Sequence, residues 1–370
     1  TVSRQNGGRR GRRAASLIPH TRPWLTTADA RAVTAVVRSG HVSPSPVIEQ
    51  FEASVAETLG VSGAVAVSSG TAALYLSLRA LGVGSRDEVL LPSYVCSALV
   101  HATEATGATA RLVEVDPETF NIASDDARRR LRRRTKAVIV PHLFGLPADL
   151  DELLALGPAV IEDCAQTLGV PYHGRPTGSF GAVTICSFYA TKLIAAGEGG
   201  MVASVSSALL AKIRDGRAYD ERRRIVPGFN FKLSGLHAAL GLSQLRRLPL
   251  ILSRRRRIAH RYDRALAALP WHRPSSPADR GHANYRYVVR IPGGVDRVLA
   301  GLLAAGVQAR RPVFYPIHRS LGQTGFPVTD RLWREALSLP IYPGLTEREL
   351  QRIVAAILRV AHGRHRGRRA

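Results

Sequence analysis

The chain has 370 residues, of which 45% are hydrophobic and 22% charged, with three cysteines and a formal net charge of +24. That composition belongs to a globular protein that can bury a sizeable core without disulfides or structural metals, and the spacing of Cys96, Cys164 and Cys186 fits neither a zinc site nor a redox motif. No apolar run approaches the length of a membrane span, and the basic first residues lack the apolar stretch of a signal peptide, so a cytoplasmic protein is expected.

Residues 1 to 16 are rich in glycine and arginine and read as a mobile basic tail, as do residues 363 to 370. Between them strand-like and helix-like segments alternate, the pattern of an α/β protein. Helices are expected at Asp29–Ser39 and Val47–Leu59, then a strand at Ala64–Val67. The turn Ser68-Ser69-Gly70-Thr71 leads into a helix at Ala72–Leu81. Strand, small-residue turn and helix start can together hold a phosphate, because free backbone N–H groups and the helix dipole converge there; the same residues also make an ordinary N-cap. Strands follow at Glu88–Leu91, Ala110–Val115, Ala137–Pro141, Ala159–Ile161 and Val183–Phe188, with helices at Ala98–Thr106 and Leu150–Leu156. Beyond residue 235 one long helical stretch runs from Leu236 to about Leu269, closed by Pro270. A strand at Tyr285–Ile291 and helices at Val295–Ala305 and Leu345–Val360 complete a second, smaller α+β unit. The expected organisation is a large domain over 17–250 and a small C-terminal domain over 251–362.

The positive charge is nearly all arginine, clustered at Arg9–Arg13, Arg128–Arg134, Arg222–Arg224, Arg254–Arg257 and Arg364–Arg369. The clusters are scattered and no nucleic-acid module accompanies them, so they read as solvated faces. Lysine is scarce: Lys136, Lys192, Lys212 and Lys232 are the whole set. Lys192 follows an apolar strand and precedes Gly197-Glu198-Gly199-Gly200, a place where desolvation can lower an amine's pKa and free it for attack; a surface lysine would also fit that spacing. Asp163 ends an apolar strand. A carboxylate there needs a cation or hydrogen bonds, which a protonated pyridine nitrogen would supply; a helix N-cap is the alternative.

In chain order, Ser68-Ser69-Gly70-Thr71-Ala72-Ala73-Leu74, Asp87-Glu88-Val89-Leu90-Leu91-Pro92-Ser93, Val115-Asp116-Pro117-Glu118-Thr119, Pro141-His142-Leu143-Phe144-Gly145, Ile161-Glu162-Asp163-Cys164-Ala165-Gln166, Ser187-Phe188 with Lys192, Gly197-Glu198-Gly199-Gly200, Gly228-Phe229-Asn230-Phe231 and Leu339-Pro340-Ile341-Tyr342-Pro343 resemble the motifs of the DegT/DnrJ/EryC1/StrS family. The likeness runs from about Pro19 to about Ala361. It implies fold type I of the pyridoxal-phosphate (PLP) enzymes, the aspartate-aminotransferase fold: a large domain with a mostly parallel mixed sheet between helices, and a smaller C-terminal domain. The implied activity is transfer of an amino group, from glutamate, to a nucleotide-linked keto-sugar or a keto-cyclitol.

By the same resemblance Lys192 holds PLP as a Schiff base and shuttles a proton, and Asp163 pairs with the pyridine nitrogen. Gln166 lies near the ring's phenolic oxygen, and Gly70, Thr71 and Ser187 hold the phosphate. Asn230 reaches the phosphate of a neighbouring subunit, with Lys232 beside it, in a homodimer with shared sites. Arg311, Tyr315 and His318 form a substrate-side loop. The family's ring-stacking aromatic falls at Cys96 here, with Tyr94 two residues earlier, so either could cover the ring. A dehydratase of the same fold usually carries histidine in place of Lys192, and a silent relative would not need the full set. No metal, membrane or nucleic-acid partner is expected.

Overall fold

The computed structural model describes residues 17–220, 228–274 and 276–363. The first basic tail, Arg222–Arg224 and residues 364–370 lie outside them. The strands are β1 (Gly63–Val67), β2 (Glu88–Pro92), β3 (Thr109–Val113), β4 (Thr135–Pro141), β5 (Ala159–Asp163), the two-residue pair β6 (Pro171–Tyr172) and β7 (Arg175–Pro176), β8 (Val183–Ser187), β9 (Gly200–Ser204), β10 (Tyr287–Arg290) and β11 (Ala336–Leu339). Seven of them form one sheet in the order β1-β9-β8-β5-β4-β2-β3. Only β9 runs against its neighbours; the other pairings are parallel. The sheet is the mostly parallel mixed sheet that the family resemblance implies.

Both faces of this sheet are covered, which is why its strands read as apolar runs rather than alternating ones. Neighbouring residues on a strand point to opposite sides. Val65, Val67, Leu91, Ile139 and Ile185 therefore pack in one cluster with the helix Gly70–Ala80. Ala64, Ala66, Cys186 and Met201 join a second cluster with Phe51 and Leu242, and Leu90, Val138, Val140 and Val160 a third. The C-terminal part has its own core, in which Tyr287, Val289, Leu337 and Leu339 pack against Ile353 and Ile357.

Several features depart from the sequence expectation. The single long helix is two, Gly235–Leu245 and Leu248–Ala265. Pro249 sits in the first turn of the second, where its missing N–H costs nothing; inside one continuous helix it would remove a hydrogen bond and clash with the preceding turn. That second helix crosses the expected boundary at residue 250: Leu248 and Ile251 belong to a core of the large sheet, Ile258 and Tyr262 to the C-terminal core. Ile18 also packs in the C-terminal core, bridging to Val307, so the two ends of the described chain meet there. Finally, β9 was not expected as a strand. Its run Met201-Val202-Ala203 is fully buried between β1 and β8.

The six co-directional strands of the sheet end along one edge, which collects Ser69, Ser93, Asp163 and Ser187. At this edge Glu162 is caged. Its Oε1 accepts from the backbone N–H of Phe180 (2.8 Å) and Gly181 (2.6 Å), and its Oε2 from Gly178 N (2.7 Å) and the His142 ring (3.3 Å). Burial works against ionisation, but these donors outweigh it and hold the carboxyl below its usual value. His142, Glu162 and Cys164 lie together, yet each Glu162 oxygen is already taken up by two donors. The cluster braces the strand ends.

Candidate active site

Lys192 lies in the loop from β8 to β9. The loop is stapled: Phe188 N donates to Gly199 O (2.9 Å), Ala190 N to Gly197 O (3.0 Å), Ala196 N to Phe188 O (2.9 Å) and Lys192 N to Tyr189 O (2.8 Å). Leu193 and Ile194 anchor it in the core below. The lysine side chain enters a cavity of about 660 Å³ together with Cys96, Asp163, Gln166, Tyr285, Arg286 and Tyr315. These residues are spread along the chain from Cys96 to Tyr315; the sheet edge and the C-terminal part bring them to one space.

Asp163 is buried. One of its oxygens accepts from Ala165 N at 3.0 Å, and among the described residues it forms no ion pair. Burial pushes its carboxyl above the usual range, partly offset by the positive charge of Lys192. A buried carboxylate in that state calls for a cationic partner within the cavity. Gln166 is held in place because its Oε1 accepts from Phe144 N at 2.7 Å.

At the same edge Ser69 caps the helix Gly70–Ala80, its hydroxyl accepting from Ala72 N. A Cβ on Gly70 would stand 2.9 Å from the Ser187 Cβ and 3.2 Å from its Oγ, so only glycine leaves the helix start open beside Ser187. Gly70 and Thr71 supply free N–H groups at a helix N-terminus, and Ser187 adds a hydroxyl: a cradle for an anion. The N-cap and the phosphate readings of this turn are compatible in one geometry.

Other residues singled out in the sequence lie elsewhere. Tyr94 is fully buried between Phe120 and Phe144, with ring centroids 5.7 and 6.5 Å away, and it is Cys96 that reaches the cavity. The protein around Cys96 holds its thiol above the usual value, against the pull of Lys192. Arg311 points to Asp296 (2.9 Å) and lies over the Trp333 ring. His318 is buried against the Ser93 hydroxyl (2.6 Å) and Asp330 (3.2 Å). Of that loop, Pro312, Val313, the almost fully exposed Phe314, Tyr315 and Ile317 line the cavity. Asn230 is exposed, and Lys232 pairs with Asp220 at 2.8 Å.

Two cavity residues carried no signal in the sequence. Tyr285 and Arg286 precede β10 and read only as the start of a strand. Their position is set by long-range contacts. Phe144 and Gly145 take positive φ angles of 61° and 99°, Ala283 N donates to Gly145 O (2.8 Å) and Arg286 N to Phe144 O (3.2 Å). A Cβ on Gly145 would meet Ala283 Cβ at 2.9 Å. Arg255, only 3% exposed, donates to the carbonyls of Asn284, Tyr285 and Ile341 (3.2, 3.0 and 3.1 Å). This corrects the reading of Arg254–Arg257 as a solvated face: Arg255 is a buried clamp, and burial lowers its pKa to about 10. Lys192 Nζ stands 5.5 Å from the centre of the Tyr285 ring. Burial raises the Tyr285 phenol, but Lys192, Arg286 and a hydrogen bond from Thr191 outweigh it and bring the phenol below its usual value.

A model of the DegT/DnrJ/EryC1/StrS aminotransferase family matches residues 24–358. The chain belongs to this family. It is 35% identical over 330 residues to a GDP-perosamine synthase of Caulobacter vibrioides, covering 84% of this chain and 89% of that one. It is 36% identical over 328 residues to a UDP-N-acetyl-3-dehydro-α-D-glucosamine 3-aminotransferase of Acidithiobacillus ferrooxidans, covering 85% and 88%. Among solved structures, the aminotransferase TlmJ of Streptoalloteichus hindustanus superposes with a TM-score of 0.90 at 32% identity, covering 94% of this chain and all of that one. DegT/DnrJ/EryC1/StrS aminotransferases depend on PLP, and the cavity fits that group. A buried carboxylate with no ion pair among the described residues suits a pyridinium, a glycine-made cradle suits a phosphate, and a lysine amine lies in the same cavity as the carboxylate. Among the described residues no helix is long and apolar enough to cross a membrane.

Proposed function

We propose that this aminotransferase moves an amino group from glutamate to a nucleotide-linked keto-sugar, as a cytoplasmic homodimer with shared active sites. The observation that carries the reading is Lys192 and Asp163 facing one cavity of about 660 Å³, large enough for a sugar ring beside a cofactor. The names of the relatives point to sugars carried on GDP and UDP.

When bound, PLP supplies an electron sink for the carbon that loses or gains a proton. The protein's part falls to its own side chains. Lys192 would hold the cofactor and carry the proton at the reacting carbon; it has the amine this requires, in a half-buried place. Asp163 keeps the ring nitrogen protonated, and burial strengthens that interaction. Gly70, Thr71 and Ser187 would hold the phosphate, with Asn230 of a neighbouring copy and Lys232 completing the set. Gln166 would lie at the ring's oxygen, Cys96 would cover the ring, and Tyr315 would face the sugar. Histidine at position 192 would mark a dehydratase of the same fold; lysine there favours transamination.

The test is to incubate the purified protein with glutamate and a panel of nucleotide-linked keto-sugars and to measure 2-oxoglutarate. Release of 2-oxoglutarate with at least one acceptor supports the reading. Sugar consumption without it, or no turnover on the whole panel, overturns it.

A further inference from the structure

We infer that Arg286 anchors the carboxylate of the amino donor, a role that rests on the aminotransferase reading above. Arg286 is the one arginine among the described residues that line the cavity with Lys192. Its guanidinium carbon lies 5.3 Å from the centre of the Tyr285 ring, and Lys192 Nζ lies 5.5 Å from the same centre. The two cations therefore flank one aromatic side chain.

The charge on Arg286 is not cancelled. Many arginines of this chain are tied to carboxylates: Arg280 to Asp149 and Asp279, Arg290 to Glu118 and Glu335, Arg311 to Asp296. Among the described residues, Arg286 has no such pair. Its side-chain hydrogen bonds go to the His20 ring, at 3.3 and 3.4 Å. Burial, with Arg286 and Arg310 nearby, lowers the His20 pKa to about 3, so the ring is neutral at ordinary pH. It steadies the guanidinium without neutralising it. The backbone is steadied as well, by the bond from Arg286 N to Phe144 O and by the Arg255 clamp on the carbonyls of Asn284 and Tyr285. The result is a fixed, half-buried cation on the wall of the substrate cavity, with guanidinium donors beyond the bond to His20 available to an oxyanion.

The chemistry it selects is an oxyanion. Two substrates could bring one: the carboxylate of an α-amino acid, or the diphosphate of a nucleotide-linked sugar. In an α-amino acid the carboxylate is attached to the carbon that bears the reacting nitrogen, so it must lie close to where Lys192 works. A nucleotide's diphosphate is separated from the aminated carbon by much of a sugar ring. Sharing the Tyr285 ring with Lys192 places Arg286 at the shorter distance.

The experiment separates the two half-reactions in the holoenzyme. Glutamate alone is followed by the change in cofactor absorbance, and the keto-sugar is then titrated against the aminated enzyme. Arg286→Gln should weaken the apparent glutamate affinity roughly 10- to 100-fold, the loss of a charge-assisted carboxylate contact, and leave the KM for the keto-sugar unchanged. Arg286→Lys should recover part of the loss. A calorimetric titration with glutarate, an unreactive dicarboxylate, should show binding to the parent enzyme and a matching loss in Arg286→Gln. The inference is overturned if the keto-sugar KM rises while the glutamate constant stands, which would assign Arg286 to the phosphates, or if neither constant moves in a variant that melts normally. If the parent enzyme is inert with every amino acid, the functional reading fails instead, and glutarate binding still reports on the guanidinium.

Discussion

At the scale of single residues, the site rests on a few groups whose surroundings give them their chemistry. Reduction of the holoenzyme with borohydride should fix the cofactor to Lys192, and Lys192→Ala should lose that covalent link while keeping loose cofactor binding. Peptide mapping decides, and attachment to Lys136, Lys212 or Lys232 would refute the assignment. His20 makes a prediction about pH. Its folded pKa is about 3, against an ordinary value of 6.5, because burial and two guanidiniums favour the neutral ring. The unfolded chain therefore binds this proton first as pH falls. Stability is undiminished above about pH 6.5 and declines as pH drops toward 3, by up to about 1.4 kcal/mol per unit within that window. His282, lowered by burial to about 4, adds to the upper part of it. Urea midpoints measured from pH 7 to 4 should fall less steeply for His20→Gln than for the parent chain. Equal slopes would mean that the His20 ring is protonated in the fold.

At the scale of elements, the positions of turns and close approaches matter more than helix or strand propensity. Gly70 illustrates this. Gly70→Ala would bring a Cβ to 2.9 Å from the Ser187 Cβ, forcing a strand end and a helix start apart and filling the cradle. Cofactor affinity, read by absorbance titration, should fall at least roughly tenfold, while the stability cost stays at about 1–3 kcal/mol, the usual range for overpacking. Ser187→Ala removes the hydroxyl without the clash and should weaken cofactor binding more mildly. Unchanged affinity in both variants would place the phosphate elsewhere. The helices around the site were largely legible, since apolar spacing and caps are local: Thr27–Ser39 and Glu347–His362 both start with a capping box. The break before Leu248 is hidden in the sequence because the flanking residues keep a helical apolar period on both sides, and only Pro249 marks it.

At the scale of the whole molecule, Asn230 has no part in the cavity of its own chain, whereas Lys192 does. A shared site predicts complementation. If Lys192→Ala and Asn230→Ala chains are each nearly inactive, unfolding and refolding them together should restore roughly a quarter of parental activity, because about half of a random mixture forms hybrid dimers with one intact site. No recovery would mean that Asn230 acts within its own chain, and a monomer by light scattering would rule out sharing.

The sequence by itself determined the alternation of strands and helices, the strand ends that carry Asp163 and Ser187, and the lysine-bearing loop. These follow from periodicity, from glycine and proline, and from a motif order that is read locally. The tertiary structure alone decided that Tyr285 and Arg286 join Lys192, that Tyr94 lies in the core while Cys96 faces the cavity, and that Arg255 is buried within a run of arginines. In each case the deciding contact spans distant parts of the chain: the 283–286 segment hydrogen-bonds to Phe144 and Gly145, and Arg255 reaches Ile341 O. Local pattern states which residues can be buried or charged. Which of them meet depends on how the C-terminal part closes over the sheet edge, and no spacing along the chain encodes that closure.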